Sequence, residues 1–212
     1  YTASFLNYYL NYAYCCRWVD FSSTSTVMEL GPGAGKQVEV LRKAHPHLCF
    51  FLFDIPPQLY VCEQYLSAVF PGSVVSYRTT REDSYAPEAI AGRIVVMGPW
   101  MLPGLKERTW DLFWNAASFQ EMEPAMALNY LSYVERGTRS GAYLDERMDG
   151  MHTAATPGEH GVLSPTTISH YRAGLPSFDA LDVSTHAFLP DVTMTSAYSR
   201  SFWTRKATSA GV

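Results

Sequence analysis

No basic run interrupts this chain, and its 16 Lys and Arg are outnumbered by 20 Asp and Glu, for a formal net charge of −4. A surface that neutralises phosphates needs the opposite balance, which argues against a nucleic-acid partner. No apolar run approaches the ~20 residues of a membrane span, and no secretory leader pattern is present. Cysteine is scarce. Cys15 and Cys16 are adjacent, a poor zinc pair, and Cys49 and Cys62 fall in apolar runs. The four have no metal-ligand spacing and read as reduced, buried thiols of a cytoplasmic protein. Internal repeats and low-complexity segments are absent as well. The first residue is Tyr1 and not Met, so the sequence reads as a domain excised from a longer chain.

What is present fits an ordinary soluble globule: 47% hydrophobic against 17% charged residues. A length of 212 residues gives one α/β domain a full core and is short for two. Aromatic residues make up 14% and are dominated by tyrosine, enough to line a pocket even if most are core or half-buried surface.

The most informative stretch is Val27-Met28-Glu29-Leu30-Gly31-Pro32-Gly33-Ala34-Gly35. An apolar run ends in an acid, then glycines alternate with small residues before Lys36 opens a helical pattern. Glycines so spaced let a strand turn sharply and let backbone lie against a ligand. The helix that follows aims its free N–H groups at whatever fills the turn. A phosphate loop of the Walker type fails twice, because Leu30 stands where its first Gly belongs and Gln37 replaces the hydroxyl. A dinucleotide fingerprint is weakened by Lys36 in the place of its third Gly.

Ahead of this turn, Phe5, Leu6, Tyr9, Leu10, Ala13 and Cys16 fall on one helical face. Residues 1–25 are therefore expected to form a helical cap or lid, residues 26–206 the main domain and residues 207–212 a tail. Within the domain, strands are expected at Thr26–Leu30 and Leu48–Phe53, with a helix between them that ends at His45-Pro46-His47. The second strand is apolar throughout, as a strand buried on both faces should be. It stops at Asp54, 19 positions after Gly35, where an acid can accept both hydroxyls of a ribose. Pro56 starts a helix closed by Pro71-Gly72. Further on, the pattern predicts a short helix at Ala86–Ala91 and strands at Arg93–Met97, Asp111–Asn115 and Gly141–Leu144. It also predicts a helix turning Met126, Tyr130, Leu131 and Val134 inward, a polar loop over 146–165 and a helix over Thr166–Ala173. Two closing antiparallel segments follow, with Leu181, Val183, Thr185 and Ala187 alternating in the first and the second running from Tyr198 to Arg205. The fold class is α/β, a Rossmann-like doubly wound sheet with a C-terminal antiparallel hairpin.

The spelling Glu29-x-Gly31-x-Gly33-x-Gly35 resembles motif I of class I S-adenosylmethionine-dependent methyltransferases. Two further blocks are similar to the sugar O-methyltransferase family. One is Phe53-Asp54-Ile55-Pro56-Pro57-Gln58-Leu59. The other is Pro99-Trp100 with the later run Asn115-Ala116-Ala117-Ser118-Phe119-Gln120-Glu121-Met122. The match covers residues 27–145. The resemblance implies S-adenosyl-L-methionine as cofactor and methyl transfer to a hydroxyl of a sugar or sugar-containing small molecule. By the same resemblance Gly31, Gly33 and Gly35 pass under the methionine part of the cofactor, Glu29 orients the turn and Asp54 holds the ribose. Pro99 and Trp100 border the adenine, while Asn115 and Ser118 meet the methionine end and the transferred methyl group. Ala116 and Ala117 stand where base-modifying amino-methylating enzymes carry paired prolines, and beyond residue 145 no acceptor motif aligns.

An alcohol is a poor nucleophile at neutral pH, so a general base is useful. Glu121 is the first candidate, set against a plain role as a helix N-terminal acid. His152 and His160, in the loop expected to overhang the same sheet edge, are the others, set against solvated loop histidines. No metal is expected, since adjacent Asp145 and Glu146 make a weak metal signal. A nicotinamide-dependent oxidoreductase and a non-catalytic cofactor-binding module stay open as alternatives. Oligomeric state is not legible.

Overall fold

A computed structural model describes residues 3–82, 85–150, 153, 154, 156, 159, 161–186 and 198–207. Its centre is one sheet of eight strands in the order β3-β4-β2-β1-β5-β6-β8-β7. The strands are β1 Thr26–Leu30, β2 Cys49–Phe53, β3 Val74–Val75, β4 Ile94–Met97, β5 Trp110–Ala116, β6 Thr138–Glu146, β7 Phe178–His186 and β8 Tyr198–Arg205. The first six pair in parallel, and β8 joins β6 and β7 antiparallel. Every residue of β1, β2 and β4 is buried, which explains the unbroken apolar spelling of β2 and β4, while β1 buries Thr26 and Glu29 among its apolar residues.

Successive strand residues face opposite sides of the sheet, and the core divides accordingly. On one side Val27, Phe50, Leu52, Val96 and Trp114 meet three helices, α1 Ala3–Cys15, α2 Lys36–Ala44 and α3 Pro56–Val69. On the other, Met28, Phe51, Phe53, Phe113 and Leu144 meet α5 Pro124–Gly137 and α6 Ile168–Gly174. The connections around β4 are lighter: a single turn, α4 Tyr77–Thr80, precedes it, and a 3-10 stretch, Pro99–Gly104, follows it. No helix among the described residues is long and apolar enough to cross a membrane.

Several expectations are corrected. Of the apolar face assigned to α1, Phe5 alone is buried. Leu6, Tyr9 and Leu10 are exposed, whereas Phe5, Asn7, Asn11, Tyr14 and Cys15 are buried. The cause is polar. Arg200 of β8 donates to Asn11 Oδ1 and Asn7 Oδ1, each at 2.9 Å, and Tyr14 donates to Asp182 of β7 at 2.8 Å. Met126 is 53% exposed, because α5 buries Ala127, Leu131 and Val134 in its place. Residues 86–91 are not helical. His45 and His47, at the end of α2, both have polar partners: His45 Nε2 lies 3.0 Å from the Tyr12 hydroxyl, and His47 Nε2 lies 3.0 Å from the Thr24 carbonyl. Ala187, expected in the first closing segment, lies outside the described residues.

Candidate functional site

The chain leaves β1 for one edge of the sheet and returns to β5 on the other side of β1, so the connections diverge above these two strands. Such a switch point opens a crevice at the carboxyl ends of the strands. Here the crevice is a cavity of about 390 Å³. Its lining includes Gly31, Gly33, Asp54, Pro99, Ser118 and Glu121 from the sequence reading. It adds Ile55, Gln58, Met122 and Tyr130.

The three glycines serve different ends. All have positive φ, at 72°, 55° and 81° for Gly31, Gly33 and Gly35, a conformation that costs other residues roughly 1–2 kcal/mol. A Cβ on Gly31 would meet Ser118 Cβ and Oγ at 2.5 Å, and one on Gly35 would meet Leu66 Cδ1 at 2.7 Å and Cys62 Sγ at 3.1 Å. These two positions are closed by the protein itself. A Cβ on Gly33 would meet nothing within 4 Å. Gly33 therefore presents bare backbone to the open crevice.

Asp54 tips β2 beside this cradle, with its Oδ1 accepting the Ile55 N–H at 2.8 Å. Burial raises its pKa, against the lowering effect of the Ile55 and Gly33 N–H groups. Glu29 does not line the crevice. Like Val27 it projects to the α1–α3 side of the sheet, where it is buried, and burial followed by the Asp54 charge pushes its pKa up to about 8. Tyr8 of α1 lies near enough for Glu29 to help raise its pKa, after burial, which brings α1 close to the turn. Trp100 faces away from the crevice. Its ring folds over Gly98, meets Tyr77 edge-on at 5.9 Å between centroids, and lines a separate cavity of about 610 Å³ beside β4.

The turn after β5 forms the opposite wall and is built from side chains. Asn115, fully buried, donates through Nδ2 to the Leu30 carbonyl at 2.7 Å and to Ser118 Oγ at 2.6 Å. These bonds tie the tip of β5 to the tip of β1, so the Asn115 side chain is committed beneath the crevice. Ala117 takes φ 63°, the reversal that sets Ser118 against Gly31. From β6, Glu146 accepts the Ser118 N–H at 3.2 Å and the Gln120 N–H at 3.1 Å. Burial pushes its pKa up to about 8 despite these donors. Gln120 in turn donates to the Tyr198 hydroxyl at 2.8 Å and accepts the Arg147 N–H at 2.9 Å. Sequence reading missed Glu146 and Gln120 as the clasp of this wall. The adjacent Asp145 and Glu146 make a weak metal signal and no more, and neighbours on a strand project to opposite faces. Among the described residues no three His, Cys, Asp or Glu gather as a metal would require.

Glu121 is exposed at the lip of this wall. His152 and His160 lie outside the described residues. The loop that follows them is anchored, because Glu123 accepts the N–H groups of Leu163 at 2.6 Å and Ser164 at 3.0 Å.

Neither a protein-family model nor a curated protein matches the sequence. Solved structures do match in shape. Magnesium protoporphyrin IX methyltransferase from Synechocystis PCC 6803, solved with bound SAH, superposes with a TM-score of 0.64 at 11% identity, over 96% of this chain and 84% of that one. An O-methyltransferase from neocarzinostatin biosynthesis, in complex with S-adenosyl-L-homocysteine and 1,4-dihydroxy-2-naphthoic acid, gives 0.59 at 13% identity, over 94% of this chain and 55% of that one. Mitomycin 7-O-methyltransferase gives 0.58 at 13%, over 93% and 53%. The chain therefore has the fold shared by these methyltransferases, a mostly parallel sheet closed by a C-terminal antiparallel pair.

Proposed function

We propose that this chain is an S-adenosyl-L-methionine-dependent methyltransferase acting on a hydroxyl of a small molecule. A sugar or sugar-containing acceptor is the finer reading and rests on the sequence resemblance. The observation that carries the proposal is Gly33, whose missing Cβ leaves bare backbone open to a crevice that Asp54 shares. A nucleoside with a flexible tail suits both features: its ribose hydroxyls donate to the Asp54 carboxylate, and its tail lies across the glycine backbone.

When bound, the cofactor supplies a methyl group on a sulfonium, a good electrophile that needs positioning more than activation. The protein's part is then threefold. Gly33 and Asp54 would hold the cofactor. The wall from Ala116 to Met122 would hold the acceptor hydroxyl beside it. Glu121, exposed at the lip, would take the proton of that hydroxyl. Glu29, buried beneath the turn and beside Tyr8, orients the glycine backbone. His152 and His160 are further candidates for the proton. Pro99 borders the adenine end, and Ser118 the methionine end.

Calorimetric titration with S-adenosylhomocysteine and separately with NADH tests the cofactor assignment. Binding of the first and not the second is expected, and the reverse would make the chain a nicotinamide-binding protein. Methyl-labelled cofactor with a panel of sugars and small alcohols, the product position assigned by NMR, then tests the chemistry. Methyl on nitrogen, or no transfer to any panel member despite tight cofactor binding, overturns the oxygen assignment or favours a non-catalytic module.

A further inference from the structure

The cavity beside β4, at about 610 Å³, is larger than the crevice and shares no lining residue with it. Its volume is that of a small-molecule pocket. Trp100 lines it, and the way this ring is held sets it apart from the other tryptophans. Trp110, Trp114 and Trp203 are fully buried, whereas Trp100 is 54% exposed.

Exposure does not leave the ring loose. Gly98 has φ −75° and ψ 146°, extended backbone open to any residue, so glycine is needed there for space and not for angle. A Cβ on Gly98 would meet three indole carbons at 2.3–2.5 Å. The indole is thus seated on bare backbone, and Tyr77 of α4 braces it edge-on, 5.9 Å between centroids. A tryptophan that merely lay on the surface would need neither support. Around the same cavity stand Tyr85, Met101 and Leu105, each also packed in part against the core. A fixed indole, a phenol ring and a thioether together favour a flat π-system, by stacking and by sulfur contact at its edge.

We infer that this cavity is a second small-molecule site, separate from the crevice, for a compound with a flat fused aromatic ring that stacks on Trp100. Nothing in this assignment needs the methyltransferase reading, because no crevice residue takes part in it.

The test compares two probes on the whole chain by calorimetry: 2-naphthol, which is flat, and decahydro-2-naphthol, which has the same carbon skeleton but is puckered and cannot stack. The flat probe should bind about fivefold or more tightly than the puckered one. Trp100→Leu should abolish that preference. Gly98→Ala should abolish it too, because its new Cβ displaces the indole while the backbone angles suit alanine; if that variant does not fold, Trp100→Leu, an exposed substitution, decides alone. Of the five indole N–H signals in an NMR spectrum, the one missing from Trp100→Leu should shift when 2-naphthol is added to the parent. Gly33→Val, which fills the crevice, should leave 2-naphthol affinity within twofold. No binding of 2-naphthol, equal binding of the two probes, or a preference that survives Trp100→Leu overturns the second site. Loss of 2-naphthol binding in folded Gly33→Val does so as well, since it would place the probe in the crevice. Failure of S-adenosylhomocysteine to bind is a separate outcome that touches the proposed function and not this cavity.

Discussion

The two walls of the crevice are made in different ways. The wall after β1 is a backbone device: three glycines at positive φ, two closed by neighbouring side chains and one left open. The wall after β5 is a side-chain device, with Asn115, Gln120 and Glu146 fixing a turn that has no glycine in it. A backbone wall writes itself locally in the sequence, since only glycine tolerates those angles next to those contacts. A side-chain wall depends on partners far along the chain, and it can respond to pH because one partner is an acid. The two walls should accordingly fail in different ways.

The largest effect is expected at the glycines, and it should split. Gly33→Val places a branched side chain in open space, so the fold should survive with some strain while S-adenosylhomocysteine affinity falls by more than about 100-fold, or roughly 3 kcal/mol. Gly35→Ala should do the reverse. Its Cβ runs into Leu66 at 2.7 Å, so stability should fall by roughly 2–4 kcal/mol, read from urea denaturation. If Gly33→Val bound the ligand like the parent, the open glycine would not be the cradle, and the division of labour within this wall would be wrong.

On the other wall, Glu121→Gln should lower turnover by about 100-fold and leave cofactor affinity unchanged, because a base acts in the transition state and not in cofactor binding. Comparison of kcat with the calorimetric Kd checks it; full activity in the variant would remove Glu121 from the chemistry. Asp54→Asn comes next. Hydrogen bonds to charged groups contribute about 1.5–3 kcal/mol, so binding should weaken roughly 10- to 100-fold. Since burial raises the Asp54 pKa, cofactor affinity should also decline on acidification sooner than an ordinary aspartate allows, a decline absent from Asp54→Asn. A loss of less than twofold in a folded variant would count against the ribose role.

The contrast between the walls also explains what could be read in advance. The sheet core, its parallel pairing and the terminal hairpin follow from apolar runs and turn residues that act locally, so their positions came through within a residue or two in most cases. The glycine turn and Asp54 were legible for the same reason. The buried face of α1 was not, because Asn7 and Asn11 are satisfied by Arg200, at the far end of the chain. Helical periodicity ranks Leu6 and Leu10 above Asn7 and Asn11 unless that distant partner is known. Trp100 was read as an adenine platform, yet its ring lies over Gly98 outside the crevice, a rotamer choice that spelling cannot express. Glu146 next to Asp145 gave only a weak metal signal, and its part in the turn after β5 depends on Ser118 and Gln120, 28 and 26 positions away.

Glu146 offers the subtlest test of the side-chain wall. Its carboxyl is fully enclosed, with Asp145 and the Tyr171 phenol nearby, and burial holds its pKa at about 8 in the folded chain. In the unfolded chain it reverts to the ordinary value of about 4.5. Between these values the folded state keeps a proton that the unfolded state has released, so this group's contribution is complete at low pH and is lost as pH rises towards 8. Glu29, raised to the same level by burial and Asp54, contributes with the same sign. Glu146→Gln removes one of the two titrations. Its amide oxygen can still accept one N–H of the turn, but its NH₂ group opposes the other, so the variant should be less stable by roughly 1–2 kcal/mol at pH 5, about 2–8 °C in Tm. At pH 8.5 the parent has lost its protonated-state advantage, so the gap between the two melting temperatures should close or reverse. A gap of the same size at both pH values would mean that Glu146 is not the group that titrates, and the pH response of this wall would have to come from elsewhere in the molecule.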